Sequence, residues 1–267
     1  MNTKLTVPDV LKMKAEGKKI TMMTAYDYST GMLVEKAGMH TILVGDSLGM
    51  TVLGYESTVP VTLDEMIYHT KAVRRGAGNT FLISDMPFGT YNTSTECAII
   101  NATRFLKEGA ADAVKVEGGE RIARLVEALV KAGIPVLGHI GLTPQTVTQL
   151  GGYKVQGRTE TAAKGLLEDA KALDSAGAFG IVLECIPTGL AAQITESVTV
   201  PTIGIGAGSH CDGQVLVYND VMGVFDKFTP KFVKKYADIG DMAVRALKEF
   251  KHEVEQGVFP DEEHSFK

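Results

Sequence analysis

Apolar and polar positions along the chain repeat one unit: a short buried run, a turn, then an amphipathic stretch. Eight runs of apolar or β-branched residues read as strands, at 20–24, 41–44, 80–84, 111–116, 135–139, 179–183, 200–205 and 215–218. Helical patterns over 7–16, 29–37, 63–75, 94–107, 120–131, 159–177 and 189–197 lie before and between them. A charged amphipathic helix is predicted over 239–256, ahead of the tail GVFPDEEHSFK. Eight strands alternating with helices in 267 residues fit an α/β protein of the (β/α)8 TIM barrel type. An open doubly wound sheet is the competitor, but it usually has fewer strands and a switch point. Acidic or basic residues recur at the strand ends, which suits a closed ring with one shared mouth. With no linker or repeat in view, residues 1–267 are expected to form a single barrel domain. A short N-terminal helix would precede the barrel, and a C-terminal helix and tail would follow it.

Composition narrows the partners. The net charge is −5 and the lysines and arginines are scattered, so no nucleic-acid partner is expected. Cys97, Cys185 and Cys211 are an odd number without CxxC spacing, which argues against a disulfide framework and a structural zinc site. A cytoplasmic setting is the simplest context. The N-terminal stretch lacks the apolar centre of a signal peptide, and no apolar run approaches the ~18 residues of a membrane span. No membrane partner is expected.

The chemistry gathers at the strand ends. Asp46 and Ser47 follow the strand at 41–44, Asp85 the next, and Glu117 the one after. In a barrel these ends converge, and three carboxylates in one water-poor place need a compensating cation. All-oxygen ligands suit Mg2+ or Mn2+ better than zinc. Any one of these acids alone reads equally as a helix cap or a partner of Lys115. Lys115 lies two residues before Glu117 and shares its face of the strand. It reads as a cation for a substrate oxygen or as a Schiff-base lysine, the latter disfavoured by nearby acids. His139 reads as a donor to substrate, a metal ligand or a core histidine. Glu184 ends a strand across the ring and is free to act as a general base, or to pair with a loop residue such as Arg158. The run GIGAG at 204–208 suits either a ligand approach or a tight turn. Cys185 carries little catalytic weight.

The stretches VGDSLGMTVLGYESTVPVT, DMPFGTY, VKVEGG, GHIGLTPQ, GGYKVQGR, IGIGAG and EHSF, among others, run in order along almost the whole chain. Together they resemble the ketopantoate hydroxymethyltransferase family. The resemblance implies a barrel of the phosphoenolpyruvate mutase/isocitrate lyase type and a large homo-oligomer, a decamer. It implies Mg2+ on Asp46, Asp85 and Glu117, and 2-oxoacid binding by Asp46, Ser47, Asp85 and Lys115. His139 is similar to a family histidine at the substrate, and Glu184 to the proton acceptor. The implied reaction moves a one-carbon unit from 5,10-methylenetetrahydrofolate to 3-methyl-2-oxobutanoate, on the way to pantothenate and coenzyme A. The loop 151–158 is named as a wall of the folate site. A 2-oxoacid C–C lyase on the same scaffold is the alternative, and a non-catalytic oxoacid binder is a further one.

Overall fold

A computed structural model describes residues 4–225 and 228–267. They divide into two compact units, with the boundary between Val217 and Tyr218.

The first unit is a closed barrel of eight parallel strands in sequential order. The strands are β1 (Ile20–Thr24), β2 (Thr41–Val44), β3 (Phe81–Asp85), β4 (Ala113–Glu117), β5 (Val136–Gly141), β6 (Gly180–Glu184), β7 (Thr202–Ile205) and β8 (Gly213–Leu216). The ring closes where β1 pairs with β8, Ile20 beside Gly213. Outside it run α1 (Val7–Ala15), α2 (Tyr28–Lys36), α3 (Leu48–Thr51), α4 (Leu63–Gly76), α5 (Thr95–Lys107), α6 (Ala123–Lys131), α7 (Glu160–Ser175) and α8 (Thr188–Ser197). The helix starts are chemically marked. Asp27, Thr62, Ser94 and Thr159 each accept a backbone N–H of the first turn through the side chain.

Strands β2 to β5 are buried along their whole length, as expected for a parallel sheet covered by helices. The interior is filled by Met22, Leu43, Ile83, Ala113, Leu137, Val182, Ile203 and Val215. Val10 and Met13 of α1 join this cluster together with Phe81 and Phe179, whose rings meet edge to face at 5.7 Å. Phe81 starts β3 and Phe179 precedes β6, so α1 closes the floor of the barrel. The opposite end, where the strands finish, carries the polar residues.

Strand bounds shift by one or two residues at β3 to β7, Tyr218 opens a helix instead of ending a strand, and two differences have a local reason. Strand β8 begins at Gly213 rather than Val215, because a Cβ at Gly213 would stand 2.4 Å from the Ile20 carbonyl oxygen. Only glycine permits that approach, and glycine reads as a turn in a sequence. The second is α3, one turn that follows Ser47 where a plain turn is expected.

The second unit holds α9 (Tyr218–Val221) and α10 (Ile239–Gln256). Helix α10 has the bounds the periodicity predicts and ends on Gly257 in the left-handed conformation. None of its residues is buried, and Leu247, Phe250 and Val254 are exposed. The tail folds back locally: Phe259 meets Phe250 and His264, and Asp261 Oδ1 accepts the His264 N–H at 2.9 Å. Among the described residues, no helix is long and apolar enough to cross a membrane.

Candidate active site

Strand register brings the charged residues together before any side chain is placed. Asp85 sits beside Lys115, Glu117 beside His139, and Glu184 beside Gly141. Asp46, Asp85, Lys115, Glu117 and His139 are all buried. Burial of so many charges is tolerable only where they pair.

Lys115 is the internal cation. Its Nζ lies 3.2 Å from Asp85 Oδ1 and 3.8 Å from Glu117 Oε1. Burial opposes the ammonium, but Asp85, Glu117 and Asp46 outweigh it and keep the lysine charged. A protonated amine among carboxylates is no Schiff-base nucleophile. Burial, followed by the charges of Asp85 and Glu117, pushes the Asp46 carboxyl well above the usual range. Burial also pushes Asp85 up, against the pull of Lys115. Glu117 goes the other way. Its burial is outweighed by His139, Lys115 and the Gln145 N–H, which hold it below the usual value.

His139 links the two sides of the mouth. Its Nδ1 lies 3.1 Å from Lys115 Nζ and 3.5 Å from Glu117 Oε1, and its Nε2 lies 3.1 Å from Glu184 Oε2. With a proton on Nε2 alone, the ring accepts from Lys115 and turns its N–H toward Glu184. Doubly protonated, it pairs with both glutamates. Burial and Lys115 oppose the charged form, Glu117 and Glu184 favour it, and the ring is held up at about 9. Glu184 therefore faces His139, not Arg158. The β5 backbone is shaped around it: Gly141 has φ +94°, and a Cβ there would stand 2.2 Å from the Glu184 carbonyl oxygen.

Ser47 is half-buried and its Oγ lies 2.8 Å from the Tyr26 hydroxyl, on the Asp46 side. The loop 151–158 reaches from Met50, 3.9 Å from the Tyr153 hydroxyl, to Cys185, whose carbonyl accepts the Gln156 N–H. The GIGAG run is occupied by packing, with the Gly208 carbonyl accepting Gln214 Nε2 at 2.8 Å. Burial and Glu184 push the Cys185 thiol up to about 12, which leaves it inert. Cys97 lies within α5, away from the loop after β3.

Two residues outside the sequence expectation complete the site. Gln145 Nε2 donates to Asp46 Oδ2 at 2.8 Å, and its backbone N–H to Glu117 Oε2 at 3.0 Å. The Tyr91 hydroxyl donates to Gln145 Oε1 at 2.6 Å. Burial and Glu117 push the Tyr91 phenol upward, so it keeps this proton. Both lie outside the strands, Gln145 in a short 3-10 turn, and carry no charge. Only the spacing of TPQ after the β5 histidine could have pointed to Gln145.

The donors suit a small hard divalent cation. They are oxygens, and the carboxylates of Asp46, Asp85 and Glu117 are all buried, with Lys115 Nζ at 3.2 Å from Asp85 Oδ1 as the internal counter-charge. Among the described residues, no three His, Cys, Asp or Glu side chains enclose an ion by themselves. Asp46→Asn is expected to raise stability in EDTA by about 1–2 kcal/mol, since a neutral amide avoids the cost of burying a charge and then the repulsion of Asp85 and Glu117, and still accepts from Gln145. Cation-dependent oxoacid binding should be lost in the same variant. Urea unfolding and calorimetry check the two halves. A destabilised variant would show that Asp46 is not in electrostatic conflict.

A family model described as ketopantoate hydroxymethyltransferase matches residues 4–262. The chain belongs to that family. It is 62% identical over 266 residues to the 3-methyl-2-oxobutanoate hydroxymethyltransferase of Heliobacterium modesticaldum, covering 100% of this chain and 96% of the other. The enzyme of the same name from Moorella thermoacetica is 57% identical, with 99% and 98% covered. Among solved structures, 2,3-dimethylmalate lyase, a PEP mutase/isocitrate lyase superfamily member, aligns with a TM-score of 0.61 at 15% identity, covering 99% and 92%. Phosphonopyruvate hydrolase aligns with a TM-score of 0.62 at 14% identity, covering 97% and 93%. These two likenesses concern the fold. This family member thus shares its closed barrel fold with those two structures.

Proposed function

We propose that this family member transfers a hydroxymethyl group from 5,10-methylenetetrahydrofolate to 3-methyl-2-oxobutanoate, giving 2-dehydropantoate in pantothenate and coenzyme A biosynthesis. The observation that carries the reading is the division of the mouth. Three acids and Lys115 stand on β2 to β4, and Glu184 stands apart on β6 with His139 between. Asp46 and Asp85, with Glu117 behind Lys115, would hold Mg2+. When bound, the cation supplies Lewis-acid polarisation of the oxoacid carbonyl.

The chain's own groups do the rest. Lys115 and Ser47 bind and orient the oxoacid. Glu184 takes the proton from C3, the branched carbon bonds to the folate-borne methylene, and the carbon–nitrogen bond to folate then breaks as water supplies the hydroxyl, releasing tetrahydrofolate. Lys115 and His139 offset the charge that develops on the substrate oxygens. The loop 151–158 walls the folate side. The absence of a cysteine from the loop after β3 weighs against the lyase reading. Exposed Leu247, Phe250 and Val254 on α10 support assembly of several copies, for which the family resemblance implies a large homo-oligomer, a decamer, and three free cysteines support a cytoplasmic setting.

The test is loss of the C3 deuteron from deuterated 3-methyl-2-oxobutanoate, followed by proton NMR with Mg2+ or EDTA. Cation-dependent exchange is expected, and 2-dehydropantoate on adding methylenetetrahydrofolate. Tight oxoacid binding with neither exchange nor product would identify a binder instead.

A further inference from the structure

The strands deliver Asp46, Asp85 and Glu117 to one place, but a strand does not choose which carboxylate oxygen faces a ligand. In this structure each acid has one oxygen fixed by an N–H donor, while Asp85 Oδ1 and Glu117 Oε1 face Lys115 and His139. Asp85 Oδ2 accepts the Asp46 backbone N–H at 3.0 Å. Asp46 Oδ2 accepts from Gln145 Nε2 at 2.8 Å, and Glu117 Oε2 accepts the Gln145 backbone N–H at 3.0 Å. A single buried residue therefore ties two of the three acids, one from β2 and one from β4.

Gln145 is itself held without slack. Pro144 opens the short 3-10 turn at Pro144–Thr146 and limits the backbone that aims the Gln145 N–H. The side-chain Nε2 also donates to the Met86 carbonyl at 2.9 Å, and Oε1 accepts from the Tyr91 hydroxyl at 2.6 Å. Tyr91 Oη in turn accepts the Glu117 backbone N–H at 3.2 Å. A flipped amide would set its oxygen against the Met86 carbonyl and the Asp46 carboxylate, so the network admits one orientation. Neither residue is a nucleophile or a base. Gln145 spends one side-chain and one backbone donor on the acids, and Tyr91 spends its proton on Gln145.

We propose that Gln145, oriented by Tyr91, is a positioning residue that presets Asp46 and Glu117 to receive the divalent cation. The inference rests on the cation reading given above. Its effect is on affinity: without the amide, both carboxylates must be ordered by the ion itself, at a cost in binding.

The experiment is a Mn2+ titration of the whole protein, read from the electron paramagnetic resonance of the free ion. Melting temperatures in EDTA accompany it. Gln145→Met keeps the volume and removes the amide. It should weaken Mn2+ binding roughly ten- to a hundredfold, the scale of a hydrogen bond to a charged group. Tyr91→Phe keeps the amide but frees its orientation, and should weaken binding in the same direction by less. Unchanged Mn2+ affinity in a folded Gln145→Met, with a lowered melting temperature, would make Gln145 merely structural and overturn the inference. Should Gln145→Met not fold, unchanged affinity in Tyr91→Phe overturns it and weakened affinity upholds it. Absence of Mn2+ uptake by the wild type would overturn the cation reading and this inference with it. Uptake by the wild type and equal uptake by both variants overturns this inference alone.

Discussion

Replacing Glu184 by glutamine is expected to slow loss of the C3 deuteron by about 10²–10⁴-fold, the usual contribution of a positioned base. Oxoacid binding should change little. The amide keeps the size of the side chain but has no basic oxygen. Glu184 Oε2 stands 3.1 Å from His139 Nε2, on the far side of the ring from Asp46 and Asp85, and no hydrogen bond ties it to them. It is the acid left over once the others are committed. Proton NMR of the exchange and calorimetry of oxoacid binding separate the two effects. Exchange at the wild-type rate would remove Glu184 from the proton step.

Lys115→Met should have the larger effect on the protein itself. Lys115 Nζ is the cation between Asp85 and Glu117, with both partners buried. Removing one member of a buried ion pair costs about 3–5 kcal/mol, because the remaining charge is left without compensation. Here three carboxylates share that loss. The midpoint of urea unfolding in EDTA should fall accordingly, and oxoacid affinity should fall with it. An unchanged midpoint would mean that the acids are neutral in the wild type and that Lys115 pairs with none of them.

The barrel was legible because parallel strands buried on both faces leave short, unbroken apolar runs. Thr41–Val44 and Phe81–Asp85 are such runs, and each is followed or ended by its acid. Lys115 and Glu117 were legible from the two-residue period of a strand. The partner of Glu184 was not, because it depends on the lateral register of β5 and β6, which a linear pattern does not contain. Gln145 and Tyr91 were less legible still. They are neutral residues outside the strands, far from each other in sequence, and only folding gives them a common neighbour. Helix α3 escaped because one turn of helix is too short to show a period.

The pairing of β1 with β8 also sets a schedule for synthesis. Strand β1 leaves the ribosome early, but its second neighbour is Gly213–Leu216, almost a whole barrel later. At ~5–20 residues per second, that edge stays open for roughly ten seconds or longer. An open parallel edge is a template for other chains. A nascent or truncated chain ending before Gly213 therefore exposes two sticky borders, which makes four late residues the guard against aggregation.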